Sequence, residues 1–226
     1  MALRGPAVQL VHYRARRVRV NQRSYYEVEG HRFPGVTTIL SATKPRADRE
    51  ALQRWQQSVG VDVAKQITGR AASAGTRLHR QIAAYLRGED IEIVPELAGY
   101  WASVEPLLQE VEEVLLVEGA VWHDLGFVGF PDALVVYRGE LCLCDWKTAR
   151  KPKQLDWITD YCFQVAAYRA AVNAVYGDLG LEVSRAMVAI ALDDQPAQRF
   201  ELSMEDLNSY WSGFQQRLRQ FQGFRS

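Results

Sequence analysis

The sequence predicts an α/β fold built on a mixed central β-sheet flanked by helices, with a helical front half and an N-terminal β-hairpin arm. Three features carry that expectation: period-two alternation near the N-terminus, helical periodicity from Ala47 to Val111, and an abrupt change at Val114 to β-rich runs that later alternate with helical ones.

In residues 14–28, Arg17, Val18, Arg19 and Val20 alternate. After Asn21-Gln22-Arg23 the run Ser24-Tyr25-Tyr26-Glu27-Val28 returns, which is the pattern of a β-hairpin. Gly30 and Phe33-Pro34-Gly35 punctuate its end, and residues 36–40 begin a docking helix. Residues 1–45 are therefore expected to form an N-terminal arm, and residues 46–226 the main domain.

Leu52, Trp55, Val59 and Val63 recur at about one helical turn, with a break near Gly69 and Gly75. Leu78, Ile82, Tyr85 and Leu86 share a face on the next helix. Pro95 suits the first turn of a third, which carries Leu97, Trp101, Val104, Leu108 and Val111. From Val114, residues 114–122, 127–136 and 140–146 read as an antiparallel meander, divided by His123-Asp124-Leu125-Gly126 and by Tyr137-Arg138-Gly139. A helix over 159–176, a strand over 184–191, a further strand near 198–202 and a closing helix through Leu207, Trp211, Phe214 and Leu218 complete the order.

Apolar residues make up 48% and charged residues 24% of the 226 positions, the balance of a chain that buries a sizeable core. Lysine plus arginine equal aspartate plus glutamate at 27 each, so attraction for a polyanion must come from local clusters of charge. The N-terminal run MALRGPAVQL lacks the apolar core of a secretory signal and no stretch is long enough to span a bilayer, so a soluble, intracellular and cytoplasmic protein with no membrane partner is expected. Cys142, Cys144 and Cys162 lack zinc-ligand spacing and read as buried thiols.

The chemistry is concentrated in one strand. Asp145 and Lys147 are separated by one residue in the apolar run Leu141-Cys142-Leu143-Cys144-Asp145-Trp146-Lys147, so a strand points both to one face and Cys142, Cys144 and Trp146 to the other. A carboxylate and an ammonium at the end of a buried strand are costly unless something requires them. Asp132, in Gly129-Phe130-Pro131-Asp132, lies thirteen residues earlier, enough for one strand to end, turn and return beside Asp145. Two converging carboxylates suit a hard divalent cation, Mg2+ with Mn2+ as substitute, which would activate water and offset charge on a phosphate. Lys147 could orient that water and stabilise the developing charge. An isolated Asp-x-Lys is more often a surface ion pair, and it is the preceding Gly-x-Pro-Asp and the strand-turn-strand spacing that favour a catalytic reading.

Gly129-Phe130-Pro131-Asp132 followed by Asp145-Trp146-Lys147-Thr148 resembles the signature of the PD-(D/E)XK nuclease superfamily in its RecB-type form. Gly75-Thr76-Arg77-Leu78-His79 is similar to the upstream motif of that form, and Gln164-Val165-Ala166-Ala167-Tyr168 to its downstream helix motif. Phe33-Pro34-Gly35-Val36-Thr37-Thr38-Ile39-Leu40 and the stretch from Gly139-Glu140-Leu141 to Lys151-Pro152-Lys153 narrow the likeness to the family of mitochondrial genome maintenance exonucleases and their bacterial relatives. The resemblance covers residues 32–168. It implies a restriction-endonuclease-like core, His79 with Asp132 and Asp145 on the metal, and Gln164 and Tyr168 lining the catalytic site. By themselves His79 would read as a helix-face histidine, and Gln164 with Tyr168 as one packed helix face. Glu118 is a further carboxylate that could join the shell.

Arg150, Lys151 and Lys153 follow the catalytic strand, and Arg17 and Arg19 head a basic front segment, so these are the expected phosphate contacts. Tyr25, Tyr26, Trp55, Trp101, Trp122 and Trp157 are available for base stacking. With the resemblance, this implies a Mg2+-dependent exonuclease on single-stranded DNA in DNA maintenance, repair or recombination. A structure-specific or flap endonuclease on the same core and a catalytically silent nucleic-acid-binding module are the alternatives. An iron–sulfur cluster, as in some RecB-like nucleases, would need four cysteine ligands where the chain has three cysteines.

Overall fold

The alternation of the front segment becomes a small antiparallel sheet in the computed structural model, which describes residues 10–21 and 23–223. Residues 1–9 of the expected arm, and Gln22 in the link of the hairpin, lie outside the described residues. β1 (Arg16–Val20) pairs with β2 (Arg23–Val28), and β2 pairs with β3 (His31–Phe33). Gly30 does not end the hairpin but turns the chain into this third strand. Glu29 and Gly30 both take positive φ, 47° and 76°, as a two-residue turn between right-twisted strands requires.

α1 (Val36–Ala42) buries Val36, Ile39 and Leu40 in the main core. α2 (Arg46–Val59) and α3 (Val61–Leu86) follow, broken at Gly60, where φ is 88°. The expected break at Gly69 and Gly75 is thus displaced, and both glycines lie inside α3. Gly75 is small for a packing reason, since a Cβ there would stand 3.3 Å from the Thr148 hydroxyl. α2 buries none of its residues, so Leu52, expected on a core face, is exposed instead, as is Val63 in the first turn of α3. α2 packs against α3, which buries only Ala64 before Leu78.

A 3-10 turn at Pro95–Leu97 opens α4 (Ala98–Gln109), which leads into β4 (Val111–Val117). The expected meander is then interrupted. β5 (Val121–His123) and β6 (Phe127–Gly129) form a hairpin of their own, and β7 (Ala133–Tyr137) returns to pair with β4. The physical reason is Pro131, which has no N–H to give a ladder and splits the run 127–136 into two strands. β8 (Glu140–Ala149), a 3-10 turn at Leu155–Ile158, α5 (Thr159–Tyr176), β9 (Arg185–Leu192), β10 (Gln195–Leu202) and α6 (Met204–Gly223) complete the chain.

The main sheet has the order β10-β9-β8-β7-β4. Only β8 and β9 run parallel within it, and α5 is the crossover that a parallel pair needs. Helices cover both faces. Leu134, Leu143, Val188 and Ile190 face α5, α6 and α1, while Cys142, Cys144, Trp146 and Met187 face α3 and α4. β9 is buried over nearly its whole length, as a central strand covered on both sides must be.

The N-terminal sheet is joined to this body through the Pro34-Gly35 step, where Gly35 bridges Val128 of β6 and Pro34 O accepts the Val128 N–H at 3.0 Å. Arg217 of α6 locks α1 and α5 in place: it donates to Leu40 O at 2.5 Å, to the Thr43 hydroxyl at 2.6 Å and to Asp160 Oδ1 at 3.1 Å. Its guanidinium thereby satisfies a carbonyl that the end of α1 leaves open. Among the described residues no helix is long and apolar enough to cross a membrane.

Candidate active site

β8 alternates as the sequence predicts, and two of its last positions on the α5 side, Asp145 and Lys147, are polar. Asp145 is 1% exposed and its Oδ2 faces the ammonium of Lys147, a side chain 17% exposed. That oxygen accepts no hydrogen bond from any other group, while Oδ1 accepts one from Gln164 Nε2 at 3.1 Å. The same amide nitrogen donates to the Tyr168 hydroxyl at 2.9 Å. Gln164 and Tyr168 are one turn apart on α5, so the helix packed on β8 delivers both to the carboxylate.

Asp132 arrives from the other side. The ladder between β7 and β8 ends at Ala133 and Cys144, and the Trp146 N–H two residues further along donates to Asp132 Oδ2 at 2.7 Å. The carboxylate takes over where Pro131 leaves the strand. Asp132 Oδ1 lies 3.2 Å from Nδ1 of His79, which α3 brings across the sheet. Gly129 makes room for this convergence, because a Cβ there would meet the Tyr168 ring at 2.4 Å.

The electrostatics follow from burial and neighbours. Burial pushes the Asp145 carboxyl up to about 6; the Lys147 charge opposes that rise and the Asp132 charge adds to it. Burial also acts to raise Asp132, but the hydrogen bond and charge of His79, the Lys147 charge and the Trp146 N–H outweigh it and hold the group below its ordinary value. Burial acts to lower His79 and Lys147, and the facing acids reverse the sign so that both sit above their ordinary values. A buried acid and a half-buried one thus face one half-buried lysine and one histidine, a place where an added cation is favoured.

Asp132, Asp145, Lys147, His79, Gln164 and Tyr168 are therefore brought together. Glu118 is not: its backbone turns through φ 54° and its carboxylate pairs with Arg87 at 2.9 Å. Tyr161, which the sequence reading passed over, lies under Lys147, with Nζ 5.1 Å from its ring centroid. Its place three residues before Gln164 on α5 was the available signal. Arg150 and Lys151 are exposed and Lys153 is half-buried, all on the loop that leaves β8. Arg17 and Arg19 are exposed on β1, an edge strand of the N-terminal sheet and not of the sheet that carries the site. Of the aromatics, Tyr25 and Trp101 are core residues, whereas Trp157 is exposed.

Among the described residues no three His, Cys, Asp or Glu side chains form a ready-made metal cage. The oxygen donors of Asp132 and Asp145 nevertheless fit a hard cation such as Mg2+, which is held by one or two carboxylates and completes its shell with water and substrate phosphate. Asp145 Oδ2, whose one close partner is the Lys147 ammonium, is the oxygen that such an ion would use.

A family model described as the PD-(D/E)XK nuclease superfamily matches residues 25–224. Mitochondrial genome maintenance exonuclease 1 of Mus musculus is 33% identical over 202 residues, which cover 84% of this chain and 59% of that protein. The Homo sapiens protein of the same name is 31% identical over 200 residues, covering 84% and 58%. The chain thus spans less than two thirds of the length of these curated relatives. Among solved structures, an alkaline exonuclease from Laribacter hongkongensis aligns with 18% identity and a TM-score of 0.33, over 66% of this chain and 82% of its own.

Proposed function

The chain belongs to the PD-(D/E)XK nuclease superfamily, and on that premise we propose that it is a Mg2+-dependent exonuclease that hydrolyses phosphodiester bonds of single-stranded DNA in DNA maintenance, repair or recombination. The observation that carries the reading is the pairing of buried Asp145 with Lys147 beside Asp132 at the mouth of β8. The exonuclease part rests on the curated relatives, whose names describe them as exonucleases.

Nucleases of this superfamily generally use divalent metal ions; Asp132 and Asp145 would hold such a cation, which would supply charge neutralisation at the phosphate and a more acidic water. Lys147 orients the attacking water and stabilises negative charge gathering on the phosphoryl oxygens, which is the part of the reaction that preorganised cations accelerate most. As the water oxygen bonds to phosphorus it gives up a proton to solvent, the bond to the departing sugar oxygen breaks, and that oxygen takes a proton from solvent. His79 fixes the orientation of Asp132, either as a further metal ligand or through its present hydrogen bond. Gln164 holds Asp145 with one lone pair facing the site, and Tyr168 fixes Gln164. Arg150, Lys151 and Lys153 hold phosphates next to the scissile one, with Arg17 and Arg19 as more distant contacts.

The test is incubation of end-labelled linear and circular single strands with Mg2+. Linear strands shortened stepwise with circles intact support the exonuclease. Cut circles support an endonuclease on the same core instead. Binding without cleavage under Mg2+ or Mn2+ would leave a silent nucleic-acid-binding module. The relatives' name places them in mitochondria, so localising the native protein tests the cytoplasmic expectation separately.

A further inference from the structure

The loop that leaves β8 ends in a large apolar side chain left in water. Trp157 is 63% and Leu155 46% exposed, on the 3-10 turn Leu155–Ile158 that opens into α5. The turn itself is well anchored. Ile158 is buried in the main core and the Trp157 N–H donates to Gln154 O at 3.0 Å, so the backbone is held while the indole faces out. Among the described residues its ring pairs with no other aromatic and no cation.

Its position ties it to the site. Tyr161, four residues later, lies under the Lys147 ammonium. At a rise of roughly 1.5–2.0 Å per residue, Trp157 stands about 6–8 Å from Tyr161 along the helix axis, within reach of a nucleotide flanking the one being cut. The basic loop precedes it in the chain. Arg150 and Lys151 are exposed, and neither forms an ion pair among the described residues. The loop is rigidly attached, because Gln198 of β10 accepts the Lys153 N–H at 2.6 Å and donates to Lys153 O at 3.0 Å.

An exposed indole that lies along the chain between the exposed cations Arg150 and Lys151 and the Tyr161 under Lys147 meets the chemical needs of one kind of occupant. A strand of DNA offers phosphates for the cations and a π-face for the indole, and only an unpaired base has that face to give. We propose that Trp157 is a stacking platform for an unpaired base of the substrate strand, with Leu155 as its apolar flank and Arg150 and Lys151 on the adjoining phosphates. The inference rests on the nuclease reading above and deepens it by assigning to one side chain a preference for single strands.

Anisotropy of a labelled oligothymidylate, in chelator so that no strand is cut, tests the platform without requiring cleavage. Trp157→Ala is expected to weaken binding about tenfold, equivalent to about 1.4 kcal/mol, and Trp157→Phe to restore most of it. An abasic strand of the same length should bind the parent and Trp157→Ala equally, because its phosphates remain and its bases are gone. The platform is overturned if Trp157→Ala binds oligothymidylate within twofold of the parent, if the loss is equal on the abasic strand, or if the parent binds neither strand. Failure of the nuclease reading has a different signature, absence of cleavage by the parent with any divalent ion, and is read in a separate assay.

Discussion

Gln164 Nε2 lies 3.1 Å from Asp145 Oδ1 and 2.9 Å from the Tyr168 hydroxyl, so a single side-chain amide joins the buried acid of β8 to a tyrosine one turn along α5. An acid with almost no water contact depends on such partners for its orientation, because no solvent can replace them. Gln164→Ala is expected to leave the fold intact and to lower kcat about 10–100-fold, the usual effect of removing a group that orients a metal ligand. Steady-state cleavage of a single-stranded oligonucleotide checks this, and an unchanged kcat would remove Gln164 from the machinery.

Lys147 is the cation nearest to Asp145. Lys147→Ala should reduce cleavage by roughly a hundredfold or more while leaving DNA binding largely in place, since it acts on charge that develops only during reaction. Asp132→Asn and Asp145→Asn should in addition weaken Mn2+ binding measured by calorimetry. Full activity in the lysine variant would sink the catalytic assignment.

Gly129 owes its identity to a neighbour rather than to its backbone. An added methyl would sit 2.4 and 2.6 Å from two carbons of the Tyr168 ring, which is itself buried and hydrogen-bonded. Gly129→Ala is expected to cost about 1–3 kcal/mol by overpacking, lowering Tm by several degrees and displacing Tyr168 from Gln164. Pairing it with Tyr168→Ala should recover part of the Tm in thermal melts; additive losses would argue that the two positions are not in contact.

Asp145 sets a pH dependence. Burial raises its carboxyl from 3.8 to about 6, so the folded state holds this proton more tightly than the unfolded chain does. Its contribution therefore favours folding at pH values below the unfolded pKa and is lost as pH rises through the folded one. A divalent cation held by Asp145, as proposed, would compete with that proton. Melting the protein with and without Mg2+ should give a larger stabilisation at about pH 7.5 than at about pH 5, and equal shifts at the two values would be inconsistent with a metal on Asp145.

Much of the site could be read from local pattern. The alternation of β8 puts Asp145 and Lys147 on one face because successive side chains of a strand must point oppositely. The i, i+4 spacing of Gln164 and Tyr168 needs only helical geometry, and α5 has the bounds expected for it. What misled was also local. Gly69 and Gly75 look like breakers in the sequence, yet α3 runs through them and ends its neighbour at Gly60, since a glycine inside a helix costs only about 1 kcal/mol and tertiary packing outweighs it.

By itself the chain determined its periodicities, and with them the polar end of β8, the helix that faces it and the ordered motifs that mark the superfamily. Tertiary structure alone decided the hydrogen bond by which His79 meets Asp132 across 53 residues, that Glu118 turns away to Arg87, and that a separate hairpin of β5 and β6 interrupts the chain between β4 and β7, which pair directly. The physical reason is that backbone geometry sets which side chains share a face within one element. Which elements then meet is chosen by competition among all buried surfaces and buried charges at once.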